Sequence, residues 1–397
     1  MSIHLYCVPS TSQLNKKEDV PMIRLHRAEK ERSMLRMRIA IVTPEYVTET
    51  TFDGGLANYT HRLALALRDM HHEPVIFVPY DDDAVIEHEG IPVHRVQTWH
   101  RPQVKKLYTY IWLMNTWTKN RFHMASNLWW RSRQLNRAVR RLHKEKSFDV
   151  IHYAHLGGLA LKRPRDVPSV VRLSSSTKLC QKHGGYGEET SEMQQQIWIE
   201  SLALRKADRI FGPSKRIAQM MEEEIGRPIS LIETPFLSDV HALNDDLYRE
   251  HGAGKKYLLF FGSICLIKGV GTIARIIHPL LEKNPDLHFL FIGKKVPGQL
   301  GGSPMDRVID EAGIHADRVT WIAPQQHDRL YPFIQHAHAV ILPSLTDNFP
   351  NACIEAMAFG RVVVGTKGNG FEQLIVDGKS GFLCNPDDPD DLLRTIR

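Results

Sequence analysis

Short apolar runs alternate with longer amphipathic stretches along most of this chain. The runs at 38–42, 73–78 and 149–152, each with apolar residues behind a charged first one, fit buried strands. Residues 55–70 and 127–146 instead repeat apolar positions at helical spacing. After position 208 the alternation resumes, with strand-like runs at 209–212, 230–232, 257–262, 287–293, 319–322 and 339–342. Strands separated by helices predict parallel sheets, and two such sets predict two doubly wound, Rossmann-like α/β domains. A polar stretch rich in His, Asp and Gly at 235–256 separates the sets, so the predicted domains are 37–235 and 236–397. The first nine residues lack the basic start and long apolar core of a signal peptide and 12–36 carry no sustained period, so 1–36 are expected to be a disordered extension or a mis-assigned start. The last residues, 390–397, read as part of an amphipathic helix.

Composition adds little to this picture. A chain of 397 residues with 42% apolar and 24% charged content can bury two full cores. The five cysteines are scattered without a CxxC pair, which predicts reduced thiols and no zinc site. No apolar run reaches the ~20 residues of a spanning helix. Charge is informative in one place. Residues 99–146 hold twelve Lys/Arg against the single acid Glu145, together with Trp99, Trp112, Trp117, Trp129 and Trp130. Basic residues interleaved with Trp suit contact with an anionic membrane surface; a solvated basic face with Trp packed inward is the alternative. No nucleic-acid module surrounds this charge, so nucleic acid is not a predicted partner.

The densest candidate chemistry lies at 347–360, DNFPNACIEAMAFG. An apolar strand leads into a loop, a Pro marks a helix start, and two carboxylates, Asp347 and Glu355, stand eight residues apart. A helix N-terminus after a strand offers free N–H groups and a positive dipole end to phosphate. Carboxylates on either side of such a pocket suit hydroxyl groups. Ribose, pyrophosphate and hexose in a row have that layout.

Asp347 to Glu355 resembles the E-x7-E motif of the family-4 retaining glycosyltransferases, with Asp in place of the first Glu; these enzymes have the GT-B fold, two Rossmann-like domains facing a cleft. The likeness extends from MRIAIVTPEY at 37–46 through Gly54-Gly55 to GKSGFL at 378–383, and so covers most of 37–397. It implies that Glu355 accepts hydrogen bonds from the donor ribose and Asp347 holds hydroxyls of the transferred hexose. The backbone at Asn348, Phe349, Pro350 and Asn351 would lie beside the phosphates. Lys268, in FGSICLIKG at 261–269, occupies the Lys of a G-R-x4-K-G element that clamps pyrophosphate; the Arg position is Ser263, and Lys294 could supply the missing charge. Gly54 and Gly55 would border the donor phosphate and the acceptor, Glu372 would face the donor sugar, and backbone near Ile322 and Pro324 would read the base. A histidine at the end of the 149–155 stretch would orient the sugar, His155 in preference to His152. Family members also continue past this C-terminus into a helix that crosses back to the first domain.

Two competing motifs are set aside. GVGTIA at 269–274 is a formal dinucleotide fingerprint but does not follow directly on its strand. Asp81-Asp82-Asp83 resembles a metal-binding D-x-D but reads as a solvated loop. The resemblance thus implies a cytoplasmic, metal-independent hexosyltransferase with no cofactor beyond its nucleotide-sugar co-substrate, a glycan or lipid-linked acceptor, and a place at the inner face of the membrane in surface polysaccharide synthesis. The rival is a non-catalytic subunit of the same fold that binds nucleotide sugar or a protein partner; an epimerase is a weaker third reading.

Overall fold

The computed structural model describes residues 36–49, 55–98, 122–174, 190–234, 242–296 and 302–397. Gly54, most of the 1–36 extension and the stretch 99–121 with Trp99, Trp112 and Trp117 therefore lie outside the described residues.

Strand β1 (Arg38–Val42) leads to helix α1 (Gly55–Asp69), β2 (Glu73–Tyr80), a hairpin of β3 (Ala84–His88) and β4 (Ile91–Gln97), then α2 (His123–Glu145). After β5 (Val150–Ala154) and β6 (Ser169–Arg172) come α3 (Ser191–Lys206), β7 (Arg209–Gly212), α4 (Lys215–Ile225) and β8 (Ser230–Leu231). These strands form one sheet in the order β3-β4-β2-β1-β5-β6-β7-β8, parallel except for β3. The hairpin was not foreseen. Its turn places Glu89 and Gly90 both at positive φ, 51° and 75°, the geometry a two-residue hairpin requires.

The chain continues with α5 (Asp246–His251), β9 (Lys256–Phe261), α6 (Val270–Lys283), β10 (Leu287–Ile292), α7 (Pro304–Ala312), β11 (Val319–Ile322) and α8 (His327–His336). Then follow β12 (Ala339–Ile341), α9 (Asn351–Ala358), β13 (Val363–Thr366), α10 (Phe371–Leu374), β14 (Phe382–Cys384) and α11 (Pro389–Ile396). The second sheet is wholly parallel, in the order β11-β10-β9-β12-β13-β14. This is the doubly wound order: the chain runs outward from β9 in one direction, then returns to β12 and runs outward in the other. Omitting β3 and the terminal β8, the first sheet has the same order, with its reversal between β1 and β5.

Central strands such as β9, with sequence KYLLFF, are buried after their first residue because helices cover both faces. In α2 the tryptophans do not point outward. Trp130 is buried, and Trp129 packs on the core with Lys162 4.8 Å from its ring centroid. Arg133, Arg137, Arg140, Arg141 and Lys144 form the exposed side. Asn136 on the buried side donates to the Leu159 carbonyl (2.8 Å) and accepts from the Tyr153 hydroxyl (2.5 Å), which ties α2 to the end of β5. A buried amide satisfied in this way fixes how the strand end meets the helix.

Candidate functional site

Where a doubly wound sheet reverses direction, the loops leaving the two adjacent strands diverge and open a crevice at their carboxyl ends. In the second sheet these are the loops after β9 and β12, and they carry Lys268 and Asp347. The β9 loop ends in a 3-10 turn, Leu266–Lys268, capped by Gly269 at φ 76°. A Cβ on Gly269 would stand 1.8 Å from the Pro343 carbonyl oxygen, so only glycine lets the loops approach this closely. Leu345 N–H donates to the Ile267 carbonyl at 2.9 Å and completes the junction. Lys268 Nζ then lies 2.5 Å from Asp347 Oδ2. The lysine side chain is 36% exposed and the aspartate 11%, so the pair is open to solvent on the lysine side.

From Asp347 the chain passes through buried Asn348 and Phe349 to Pro350, the N-cap of α9. Proline suits this place because it fixes φ and has no N–H to orphan. Asn351 opens the helix and Glu355 falls on its second turn. Gly370 N–H donates to the Asp347 carbonyl at 3.0 Å, and a Cβ on Gly370 would meet the Asn348 carbonyl oxygen at 2.0 Å. Glu372, on α10 two residues further, is exposed.

Glu355 is buried and engaged from the other domain. Arg62 on α1 donates from Nη2 to Glu355 Oε1 at 3.0 Å and to the Tyr331 hydroxyl at 3.2 Å. His327 Nε2 is 3.3 Å from the same Arg62 nitrogen and 4.0 Å from Glu355 Oε1, and its ring stacks on Tyr331. Sequence reading missed Arg62. The available signal was its spacing: Gly55, Tyr59 and Arg62 fall on one face of α1 at helical intervals. Other contacts also cross between the domains. Ser214 donates to Asn348 Oδ1 at 2.7 Å, and Gln373 accepts from Lys215 N–H and donates to the Pro213 carbonyl.

The remaining candidates are more dispersed. Ser263 is half-buried, and the next residue, Ile264, donates its N–H to the Lys294 carbonyl at 2.8 Å, bringing the exposed Lys294 beside the β9 loop. At the end of β11, Ile322 is buried and its carbonyl already accepts from Gly293 N–H at 3.0 Å, while Pro324 is exposed. Gly55 begins α1, and a Cβ there would meet nothing within 4 Å. Glu45 Oε1 accepts from the Ala57 N–H in the first turn of that helix, a second group not foreseen.

His155 follows β5 at the first sheet's reversal point. Its ring is 3% exposed and lies 3.9 Å from Glu200 Oε2 on α3. Burial holds its pKa below the ordinary histidine range, against the opposing pull of Glu200. His152, packed between Tyr59 and Phe211, is pushed down to about 3 by burial and then by Arg172, and is neutral at any ordinary pH.

Asp83 accepts from the Gln97 N–H and so closes the loop between β2 and the hairpin, with Asp81 and Asp82 exposed. Among the described residues one group, His61, His88 and Glu89, could hold a metal. It is built on α1 and the hairpin, with nitrogen-to-carboxylate separations of 3.8 and 3.9 Å, wider than the roughly 3.3 Å between neighbouring ligands of tetrahedral zinc. Cys265, Cys353 and Cys384 are free thiols, and burial pushes Cys353 up to about 12. No helix among the described residues is long and apolar enough to cross a membrane.

Known proteins share this fold. The family described as Glycosyl transferases group 1 matches residues 255–397, and the Glycosyl transferase 4-like domain matches 54–234. The chain is 25% identical over 260 residues to the D-inositol 3-phosphate glycosyltransferase of Nocardiopsis dassonvillei, an alignment covering 62% of this chain and 60% of that protein. The chain therefore spans less than two thirds of that relative's length. Among solved structures, sucrose-phosphate synthase from Thermosynechococcus elongatus superposes with a TM-score of 0.69 at 18% identity, over 91% of this chain and 89% of that one. Anabaena HepE in complex with UDP-glucose superposes with a TM-score of 0.65 at 16% identity, over 91% and 89%. With its two parallel-sheet domains in this order and both halves matched, the chain belongs to the group 1 glycosyltransferases of the GT-B fold.

Proposed function

We propose that this chain is a retaining, family-4-type hexosyltransferase that takes its sugar from a nucleoside diphosphate and delivers it to a hydroxyl of a glycan or lipid-linked acceptor. One observation carries the reading: Lys268 and Asp347 meet at 2.5 Å at the second sheet's reversal point, with the N-terminus of α9 and Glu355 directly beyond. HepE, a structural relative, holds UDP-glucose.

In this reading the pyrophosphate lies against Lys268 and the first turn of α9. The glycosyl–oxygen bond to the diphosphate breaks, and the ammonium and the helix end stabilise the charge left on the phosphate. Asp347 aligns the hexose through its hydroxyls, and Glu355 anchors the ribose. The acceptor oxygen bonds to the anomeric carbon on the face the phosphate leaves. Its proton passes to the departing phosphate oxygen, so configuration is retained without a protein nucleophile. Lys268 and α9 neutralise the diphosphate, and no metal is assigned to that task. Asp is one methylene shorter than Glu, so Asp347 would seat the hexose nearer the β12 loop than the family's Glu does.

The test is release of nucleoside diphosphate from UDP-, GDP- and ADP-hexoses with and without a panel of hydroxyl acceptors. Release that depends on acceptor is the expected result. Tight donor binding without release under any acceptor would favour the second reading, a donor-binding subunit without turnover, which Ser263 in place of a clamp arginine supports. The exposed basic side of α2 supports peripheral contact with an anionic membrane at the inner face. The protein should then co-sediment with vesicles containing anionic lipid and not with neutral ones; equal behaviour towards both would remove the membrane from the account.

A further inference from the structure

Glu355 is covered from the first domain. Its side chain is 8% exposed, and the group covering it from the first domain is Arg62, itself 10% exposed. Two vicinal hydroxyls need the carboxylate edge within hydrogen-bond reach, and Arg62 Nη2 already occupies Oε1 at 3.0 Å. The guanidinium is anchored as well as paired: the Tyr331 hydroxyl and His327 Nε2 hold the same nitrogen at 3.2 and 3.3 Å. Tyr331 is fully buried and His327 stacks on it. Arg62 and Glu355 lie on helices of different domains, 293 residues apart.

We propose that Arg62 is a positioning residue for the donor. It holds the ribose-binding carboxylate covered and paired across the cleft until a nucleoside diphosphate replaces it. The inference rests on the assignment of Glu355 to the ribose. Donor binding then exchanges one partner of Glu355 for another, and the measured affinity is the intrinsic affinity reduced by the fraction of molecules in which Arg62 has let go. Release of Arg62 also breaks its hydrogen bonds to α8 and α9, so uncovering of the ribose site loosens this part of the cleft while Ser214, Lys215 and Gln373 still join the domains. Arg62 acts through Glu355 and need not touch the sugar.

The experiment is calorimetric titration of the full chain with UDP, GDP and ADP, comparing wild type with Arg62→Ala, Arg62→Lys and Glu355→Gln, each checked for folding by circular dichroism. The expected result is about tenfold tighter binding of the preferred nucleotide by Arg62→Ala, with Arg62→Lys between it and wild type. A merely structural arginine would lower the melting temperature without tightening binding. Unchanged or weaker binding in Arg62→Ala, with Glu355→Gln weaker than wild type, overturns the proposal and leaves the ribose assignment standing. If Glu355→Gln binds as wild type does, the ribose assignment itself falls, and Arg62 with it. Should wild type bind none of the three nucleotides, binding by Arg62→Ala supports the proposal, and its absence there too overturns it. If Arg62→Ala does not fold, Arg62→Lys must still bind more tightly than wild type.

Discussion

Replacing Glu355 by Ala is expected to weaken nucleoside diphosphate binding on the order of 100-fold. Two vicinal ribose hydroxyls donating to one carboxylate make charge-assisted bonds worth about 1.5 kcal/mol or more each, and about 3 kcal/mol together is two decades in Kd. The substitution also acts on the protein without ligand. Arg62 loses its counter-charge at a site only 10% exposed and keeps Tyr331 and His327, so the melting temperature should fall as well. Glu355→Gln separates the two effects, because an amide oxygen still accepts from Arg62 while the charge that strengthens the ribose bonds is gone. Calorimetry on both variants checks this. Donor affinity unchanged in the Gln variant would place the ribose elsewhere.

Lys268→Ala is expected to act on turnover more than on binding. Charge accumulates on the diphosphate only as the glycosyl bond breaks, so a cation beside it contributes more in the transition state than in the ground state. Loss of one such group costs about 10²–10³ in kcat. KM should change far less, because α9 still presents its N-terminus to the phosphates. The effect should be at the upper end here, since Ser263 offers no second charge at the clamp position. Steady-state release of nucleoside diphosphate measures it. A rise in KM with kcat intact would make Lys268 a binding residue without a role in bond cleavage.

The sequence is most legible where chemistry is local. Asp347, Pro350 and Glu355 sit within one strand–loop–helix unit, so spacing alone predicts a phosphate pocket between two carboxylates. Lys268 is likewise readable, being a short loop away from β9. What joins the loops is not local: the approach of Gly269 to Pro343 follows from the reversal of strand order between β9 and β12. Arg62 is harder still. Its helical face could be read from Gly55 and Tyr59, but its partner is 293 residues away. The β3–β4 hairpin escaped notice because Glu89-Gly90 is a weak turn signal beside Asn-Gly or Asp-Gly. For His155 the strand end is visible in the sequence, whereas the turn of its ring towards Glu200 depends on α3, which folds back from later in the chain. Trp129 and Trp130 show the same limit: the basic charge of α2 is on its surface, but packing against the core decides where the rings go.

The most direct test is a crystal structure of the full chain with the nucleoside diphosphate it binds best. The account predicts ribose hydroxyls within hydrogen-bond distance of Glu355, the terminal phosphate on Lys268 and the first turn of α9, and Arg62 withdrawn from the carboxylate. A nucleotide bound elsewhere, with Lys268 still on Asp347 and Arg62 still on Glu355, would contradict it.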